Sequence, residues 1–259
     1  MSPASFGRRI DREANRIASF IGRVVSSAGV GGVVVALSGG IDSAVVGALC
    51  VKAVGRKRVL GLLLPSDHTP ADDEEDARGL AEAWGIRTER VPISKVVQGI
   101  VESTRVDGTR IARANVEARV RMMVLYYYAN SLGYLVAGTG DRSEALLGYY
   151  TKWGDGGADF FPIVHLYKTQ VRELGAYLGI PKSILTKPPS PQLWPGHKAT
   201  DEIPAGYDKL DIALHWLFDL KATPANAASR AGVSLSVVRR ALEMHLKTEH
   251  KRVPSPSLN

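Results

Sequence analysis

Gly32-Val33-Val34-Val35-Ala36-Leu37-Ser38-Gly39-Gly40-Ile41-Asp42-Ser43 is followed by the apolar run Ala44-Val45-Val46-Gly47-Ala48-Leu49. The β-branched run predicts a strand buried on both faces, as in parallel sheets. Two glycines then turn the chain into a helical pattern. Strand, tight turn and helix together suit an anion. Backbone N–H groups can converge where no Cβ intervenes, and the helix start adds its positive end. Ser38 and Ser43 put hydroxyls at the rim. Asp42 does not suit a bare anion site and implies a divalent cation between carboxylate and phosphate.

The turn lacks the lysine of the phosphoryl-transfer P-loop. S-G-G-x-D-S resembles instead the loop of enzymes that split ATP between its α and β phosphates. By itself that motif leaves NAD, GMP, argininosuccinate and asparagine synthetases open, together with tRNA-thiolating and lysidine-forming enzymes.

Working outward, residues 9–28 carry Ile10, Ala14, Ile17, Ile21, Val24 and Val25 at helical spacing. Arg58 to Pro65 reads as a second buried strand and Arg87 to Ile93 as a third, followed by a short helix. Thr69-Pro70-Ala71 reads as a helix start, with Thr69 as N-cap and Pro70 as first helical residue. Residues 109–132 form a long helix with Ile111, Val116, Val120, Met123, Val124 and Tyr127 as its apolar side. Tyr134 to Gly138 is a fourth strand, ending in a second glycine turn, Gly138-Thr139-Gly140-Asp141. Lys168 to Leu178 is helical, residues 187–206 are proline- and glycine-rich and expected to be mobile, and three helices close the chain at about 207–220, 224–231 and 234–249. Alternating strands and helices predict an α/β fold: a doubly wound, Rossmann-like parallel sheet with a helical C-terminal segment, all one domain over 1–259. Ligands in such sheets lie at the carboxyl ends of the strands. The two glycine turns can meet there only if strands one and four are neighbours.

The chain has 259 residues, a hydrophobic fraction of 45% and a net charge of +7. No apolar run reaches the roughly 20 residues of a membrane span. The lone cysteine, Cys50, falls in the first helix after the turn and reads as a small core residue; it excludes a paired-thiol site, and a cytoplasmic location is expected. The basic charge suits nucleic acid as well as anionic nucleotides, but no long Lys/Arg block occurs. Thr223 to Arg240 superficially resembles a helix-turn-helix.

Several segments decide among the families: Ser38 to Ser43, Asn115 to Met122, Gly138 to Glu144, Thr151-Lys-Trp-Gly-Asp-Gly-Gly-Ala-Asp159, Lys168 to Arg172, Lys187 to Ser190 and Glu249 to Arg252. In order and spacing they resemble the ammonia-using NAD synthetases along nearly the whole chain. The resemblance implies a ligase that amidates deamido-NAD to NAD with ATP and ammonia through an acyl-adenylate, releasing AMP and pyrophosphate. It also implies a homodimer. Carried over by position, Ala36, Leu37, Ser38, Gly39, Gly40, Ile41, Asp42 and Ser43 cradle ATP, with Thr139, Lys168 and Ser190 also in contact. Asp42 and Glu144 hold Mg²⁺. Arg119, Lys152, Asp159, His250 and Lys251 bind deamido-NAD, with Lys152 at the amidation site. Asp155 is the candidate acceptor of a proton from ammonium, although its Gly-Asp-Gly context equally suits a turn. The family pattern is altered from His197 to Tyr207. No stretch resembles a glutamine-hydrolysing domain, so free ammonia is the expected nitrogen source, with a separate amidotransferase subunit left open. The alternative is a tRNA-modifying adenylating enzyme of the same loop class.

Overall fold

A computed structural model describes residues 9–190, 194, 196 and 199–258. In chain order the elements are α1 (Ile10–Ser27), β1 (Gly32–Ala36), α2 (Ile41–Val54), β2 (Val59–Leu63), α3 (Ala71–Trp84), β3 (Arg87–Arg90), α4 (Ser94–Glu102), α5 (Arg110–Leu132), β4 (Tyr134–Val136), α6 (Arg142–Leu147), α7 (Lys168–Tyr177), α8 (Lys182–Leu185), α9 (Tyr207–Leu214), α10 (Pro224–Ala231) and α11 (Leu235–Lys247). The four strands pair in parallel in the order β3-β2-β1-β4. Val34 is in register with Leu60 on one side and Val136 on the other. β1 and β4 are therefore neighbours, and the strand order reverses between them, which brings both glycine turns to one crevice.

The pleat sorts the valines of β1. Val33 and Val35 pack in one core with Ile17 and Ile21 of α1, Leu49 of α2 and Leu174 of α7. Val34 points the other way, into a core with Leu60, Leu62, Val97 of α4 and Val120 and Leu125 of α5. All three valines are fully buried, so the continuous apolar run is the signature of a strand covered on both faces. Cys50 lies in the first of these cores. A third core joins α6 to α9 and α11 through Leu147, Leu210, Leu214 and Ala241.

Three local expectations are corrected. Pro70, not Thr69, is the N-cap of α3, and Ala71 is its first helical residue; the Thr69 hydroxyl instead accepts the Ser66 N–H at 2.9 Å. The buried side of α5 is Ala114, Glu117, Ala118, Val120, Met122, Leu125 and Ala129, whereas Ile111, Met123 and Tyr127 are exposed. The expected long helix at 207–220 gives way to a π-helical turn at His215–Asp219. Within 187–206, residues Ala199–Asp201 form a 3-10 turn. His197, weighed above only as part of an altered pattern, lies outside the described residues.

Candidate active site at the ends of strands one and four

The phosphate turn is held by its own hydroxyls. Ser43 Oγ donates to Gly40 O at 3.0 Å and accepts the Ser38 N–H at 3.2 Å; the Ser38 and Ser43 hydroxyls lie 3.1 Å apart. Gly40 caps α2 in an extended conformation. Gly39 has φ +76°, and a Cβ there would lie 2.2 Å from the Asp73 carbonyl oxygen of α3. The turn therefore requires glycine for conformation and for space. In the second turn a Cβ on Gly138 would overlap the Phe161 ring at 2.4 Å, and the Gly138 N–H donates to Phe160 O at 2.9 Å. Thr139 follows, half-buried.

Beyond the second turn Asp141 caps α6. Its carboxylate accepts the Glu144 N–H at 2.8 Å, and Glu144 Oε2 accepts the Asp141 N–H at 3.2 Å. This reciprocal capping box fixes Glu144 toward the crevice. Asp42 reaches the same point from the first turn of α2.

Lys168, the first residue of α7, joins them. Its Nζ donates to Asp42 Oδ2 at 2.7 Å and to Glu144 Oε1 at 2.8 Å, and stands 3.0 Å from Asp141 Oδ2. Lys168 is only 2% exposed, so its ammonium is held inside the crevice rather than in solvent. Burial alone disfavours its ammonium, but Asp141, Asp42 and Glu144 outweigh that and hold its pKa well above the ordinary value. Burial, and then Glu144, push the Asp141 carboxyl well above the usual carboxylate range, with Lys168 opposing. Burial also raises Glu144, again against Lys168. Tyr207 is buried beside this group, its ring centroid 5.5 Å from the lysine nitrogen.

Three carboxyl groups face one ammonium, and burial resists the ionisation of Asp141 and Glu144, so the crevice offers a triphosphate no net positive charge without further cations. The buried oxygen Asp42 Oδ1 accepts no hydrogen bond, and Asp141 Oδ2 has the Lys168 ion pair but no hydrogen bond. The donors are hard oxygens, the type Mg²⁺ prefers, and Mg²⁺ commonly takes one or two carboxylates and completes its shell with water and phosphate. No group of three His, Cys, Asp or Glu among the described residues is placed to hold a metal ion by itself, so water and phosphate oxygens would have to complete the shell. The residues present fit the ion.

The second group of expected residues assembles around the 148–157 loop. Lys152 Nζ donates to His250 O at 2.6 Å, Lys251 Nζ to Gly148 O at 2.7 Å and to Tyr150 O at 2.5 Å, and Arg119 Nε to Lys152 O at 3.3 Å. These cations are met by neutral carbonyls rather than by carboxylates. Thr151 Oγ1 donates to Asn115 of α5 at 2.7 Å. Asp155 accepts the Thr151 N–H at 2.9 Å. Asp155 is exposed as a residue, but the protein packed around its carboxyl raises the pKa, against the Thr151 N–H, Lys251 and Arg121. Asp159 is exposed and accepts the Val136 N–H at 2.7 Å and the Tyr126 hydroxyl at 3.2 Å. It thus fastens the loop to β4. Ser190 is exposed.

Asp141 and Tyr207 belong to segments singled out in the sequence, but neither was assigned a role. For Asp141 the signal was present as Asp141-Arg-Ser-Glu144, a capping box. For Tyr207 no local signal separates a site-lining tyrosine from a core one.

The NAD synthase family model matches residues 13–255. An NH(3)-dependent NAD(+) synthetase of Hyperthermus butylicus is 48% identical over 94% of this chain and 89% of its own. Among solved structures, an NMN synthetase from Francisella tularensis superposes with a TM-score of 0.87 at 34% identity, covering 98% of this chain and 100% of that one. An NH3-dependent NAD synthetase from Campylobacter jejuni gives 0.82 at 27% identity, over 96% and 99%. Nothing among these favours the tRNA-modifying alternative. With the model matched over nearly its whole length, the chain belongs to the NAD synthase family.

Proposed function

We propose the following division of labour for the ammonia-dependent NAD synthesis to which family membership assigns this ligase. One synthetase domain spans 1–259. ATP lies on residues 36–43 with its phosphates toward the start of α2, and Thr139, Lys168 and Ser190 complete its contacts. Asp42 and Glu144 hold Mg²⁺, which supplies charge neutralisation to the phosphate oxygens when bound. Deamido-NAD lies against Arg119, Lys152, Asp159, His250 and Lys251. A nicotinate carboxylate oxygen attacks the α-phosphorus, the bond to the β-phosphate bridging oxygen breaks, and pyrophosphate leaves. Ammonia then attacks the acyl carbon, its proton passes to Asp155, and AMP leaves.

The observation that carries this reading is the meeting of Asp42 and Glu144 on one lysine, Lys168. Residues from the ends of β1 and β4 thereby share one crevice, with the carbonyl-capped cations forming a second group. The pairing supports oriented polyanions, whose reaction depends on placed charge more than on a protein nucleophile. A homodimer would use the exposed face of α5, where Ile111, Met123 and Tyr127 point outward.

Purified protein given ATP, Mg²⁺, deamido-NAD and ammonium should form NAD, AMP and pyrophosphate in equal amounts. ADP and phosphate would overturn the α/β cleavage. Nicotinate mononucleotide, tested in parallel because a structural relative is an NMN synthetase, should be the poorer substrate by kcat/KM; the reverse would reassign the acceptor. Sedimentation should give twice the monomer mass, falling to one with Met123→Glu and Tyr127→Glu together.

A further inference from the structure

Lys187 carries none of the roles assigned above, yet it joins three separate parts of the ATP side. It follows α8, and its ammonium reaches back 148 positions in sequence to donate to Gly39 O at 3.4 Å. The same nitrogen bonds the Asp73 carboxylate and pairs with Asp76 at 2.5 Å. Both acids stand in the first turns of α3. Asp76 also accepts the Ser183 hydroxyl of α8 at 3.2 Å. Asp73 is 4% exposed, and its backbone is the surface against which Gly39 packs.

Each contact bears on the phosphate turn. Gly39 holds a left-handed conformation, and its carbonyl orients the peptide whose N–H belongs to Gly40. The Asp73 carboxylate shares the Lys187 ammonium with the Gly39 carbonyl, close enough to this turn that an uncompensated negative charge there would oppose a bound triphosphate. Lys187 offsets that charge, and burial of its ammonium is outweighed by the two acids, so it stays protonated. On its other side come Pro188 and Pro189, which stiffen the three-residue step to Ser190, and the Ala199 N–H donates back to Pro189 O at 3.1 Å. Anchoring Lys187 therefore also places Ser190.

We propose that Lys187 is a positioning residue for ATP: it clamps the Ser190-bearing segment and the start of α3 to the back of the phosphate turn, and screens the triphosphate from Asp73. The inference rests on the reading of residues 38–43 as the ATP turn. It predicts a loss specific to one substrate, because the contacts of Lys187 run to Gly39, Asp73 and Asp76, on the ATP side. A general strut would weaken everything together.

The test is steady-state kinetics of Lys187→Met and Lys187→Arg, with equilibrium binding of ATP and Mg²⁺ to the unmodified protein and both variants. Lys187→Met should raise the KM for ATP about tenfold, leaving the KM for deamido-NAD and the kcat at saturating ATP within about threefold. Lys187→Arg should recover most of the loss. An ATP KM within twofold of the unmodified enzyme overturns the clamp, and so does a parallel rise for both substrates. Should Lys187→Met not fold, Asp76→Asn loosens one arm of the clamp and should raise the ATP KM by about threefold; no change there overturns the proposal equally. If the unmodified protein itself binds no ATP, the ATP reading fails instead, which separates the two.

Discussion

Replacing Lys168 with Met removes one ammonium and leaves Asp42, Asp141 and Glu144 facing one another. Removing one partner of a buried ion pair costs about 3–5 kcal/mol, since the remaining charge has lost its water as well as its counterion. The side chains of Asp42 and Glu144 keep 22% and 24% exposure, so water still screens them, but Asp141 keeps none. One fully desolvated carboxylate and two half-wet ones put the loss at the low end of that range, about 3 kcal/mol. At about 2–4 °C per kcal/mol for chains of this size, melting should fall by about 6–12 °C. Urea unfolding, read by far-ultraviolet circular dichroism, should show a lower midpoint at unchanged slope. A second measurement makes the test specific. With one cation gone, the crevice carries one more negative charge, so added Mg²⁺ should raise the melting temperature of Lys168→Met more than that of the unmodified protein. A loss under about 1 kcal/mol, the range of an exposed ion pair, would refute the burial argument. An Mg²⁺ response equal in both proteins would refute the placement of these carboxylates around one cation site.

Other perturbations follow from the same geometry. Asp155 must be ionised to accept a proton, and its surroundings raise its pKa, so the acid limb of kcat against pH should lie above the ordinary Asp range, with activity lost as pH falls through it. Asp155→Asn should abolish that limb and slow amidation by about 10²–10⁴-fold while pyrophosphate release from ATP and deamido-NAD persists; an unchanged limb would move the role elsewhere. Gly39→Ala forces a side chain into φ +76° and against the Asp73 carbonyl, and should cost about 2 kcal/mol or more in urea unfolding together with ATP binding; a variant as stable as the parent would show that the turn can relax. Burial pushes the Cys50 thiol up to about 12, so the folded protein should resist a thiol reagent at pH 8 and react only as fast as it opens. Rapid labelling without unfolding would contradict its burial.

How much of this was legible in sequence depends on how far apart the partners lie. The strand, turn and helix around Gly39 were readable because a β-branched run, two glycines and an apolar run follow one another without interruption. α5 was found and Val116, Val120 and Val124 of its expected face do meet the core, but Ile111, Met123 and Tyr127 point to solvent, while Ala114, Ala118 and Ala129, weak markers, are buried. α6 is six residues long, too short for a helical period to register, and only its capping box announced it. Lys168 and Asp42 are 126 positions apart. No periodicity reports such a meeting; only the strand order β2-β1-β4, which the sequence posed as a condition, brings it about.

The two groups of cations differ in a way that bears on which substrate each receives. Lys168 and Lys187 are met by carboxylates, so their charge is cancelled or exceeded. Lys152, Lys251 and Arg119 are met by backbone carbonyls, which orient them without neutralising them. A polyanion approaching the second group is attracted directly. One approaching the first is attracted only with a divalent ion in company, which fits the proposal that this crevice takes a metal-bound triphosphate rather than a bare dinucleotide. Under the proposed division of substrates, each polyanion would meet a local field suited to its own counterion state.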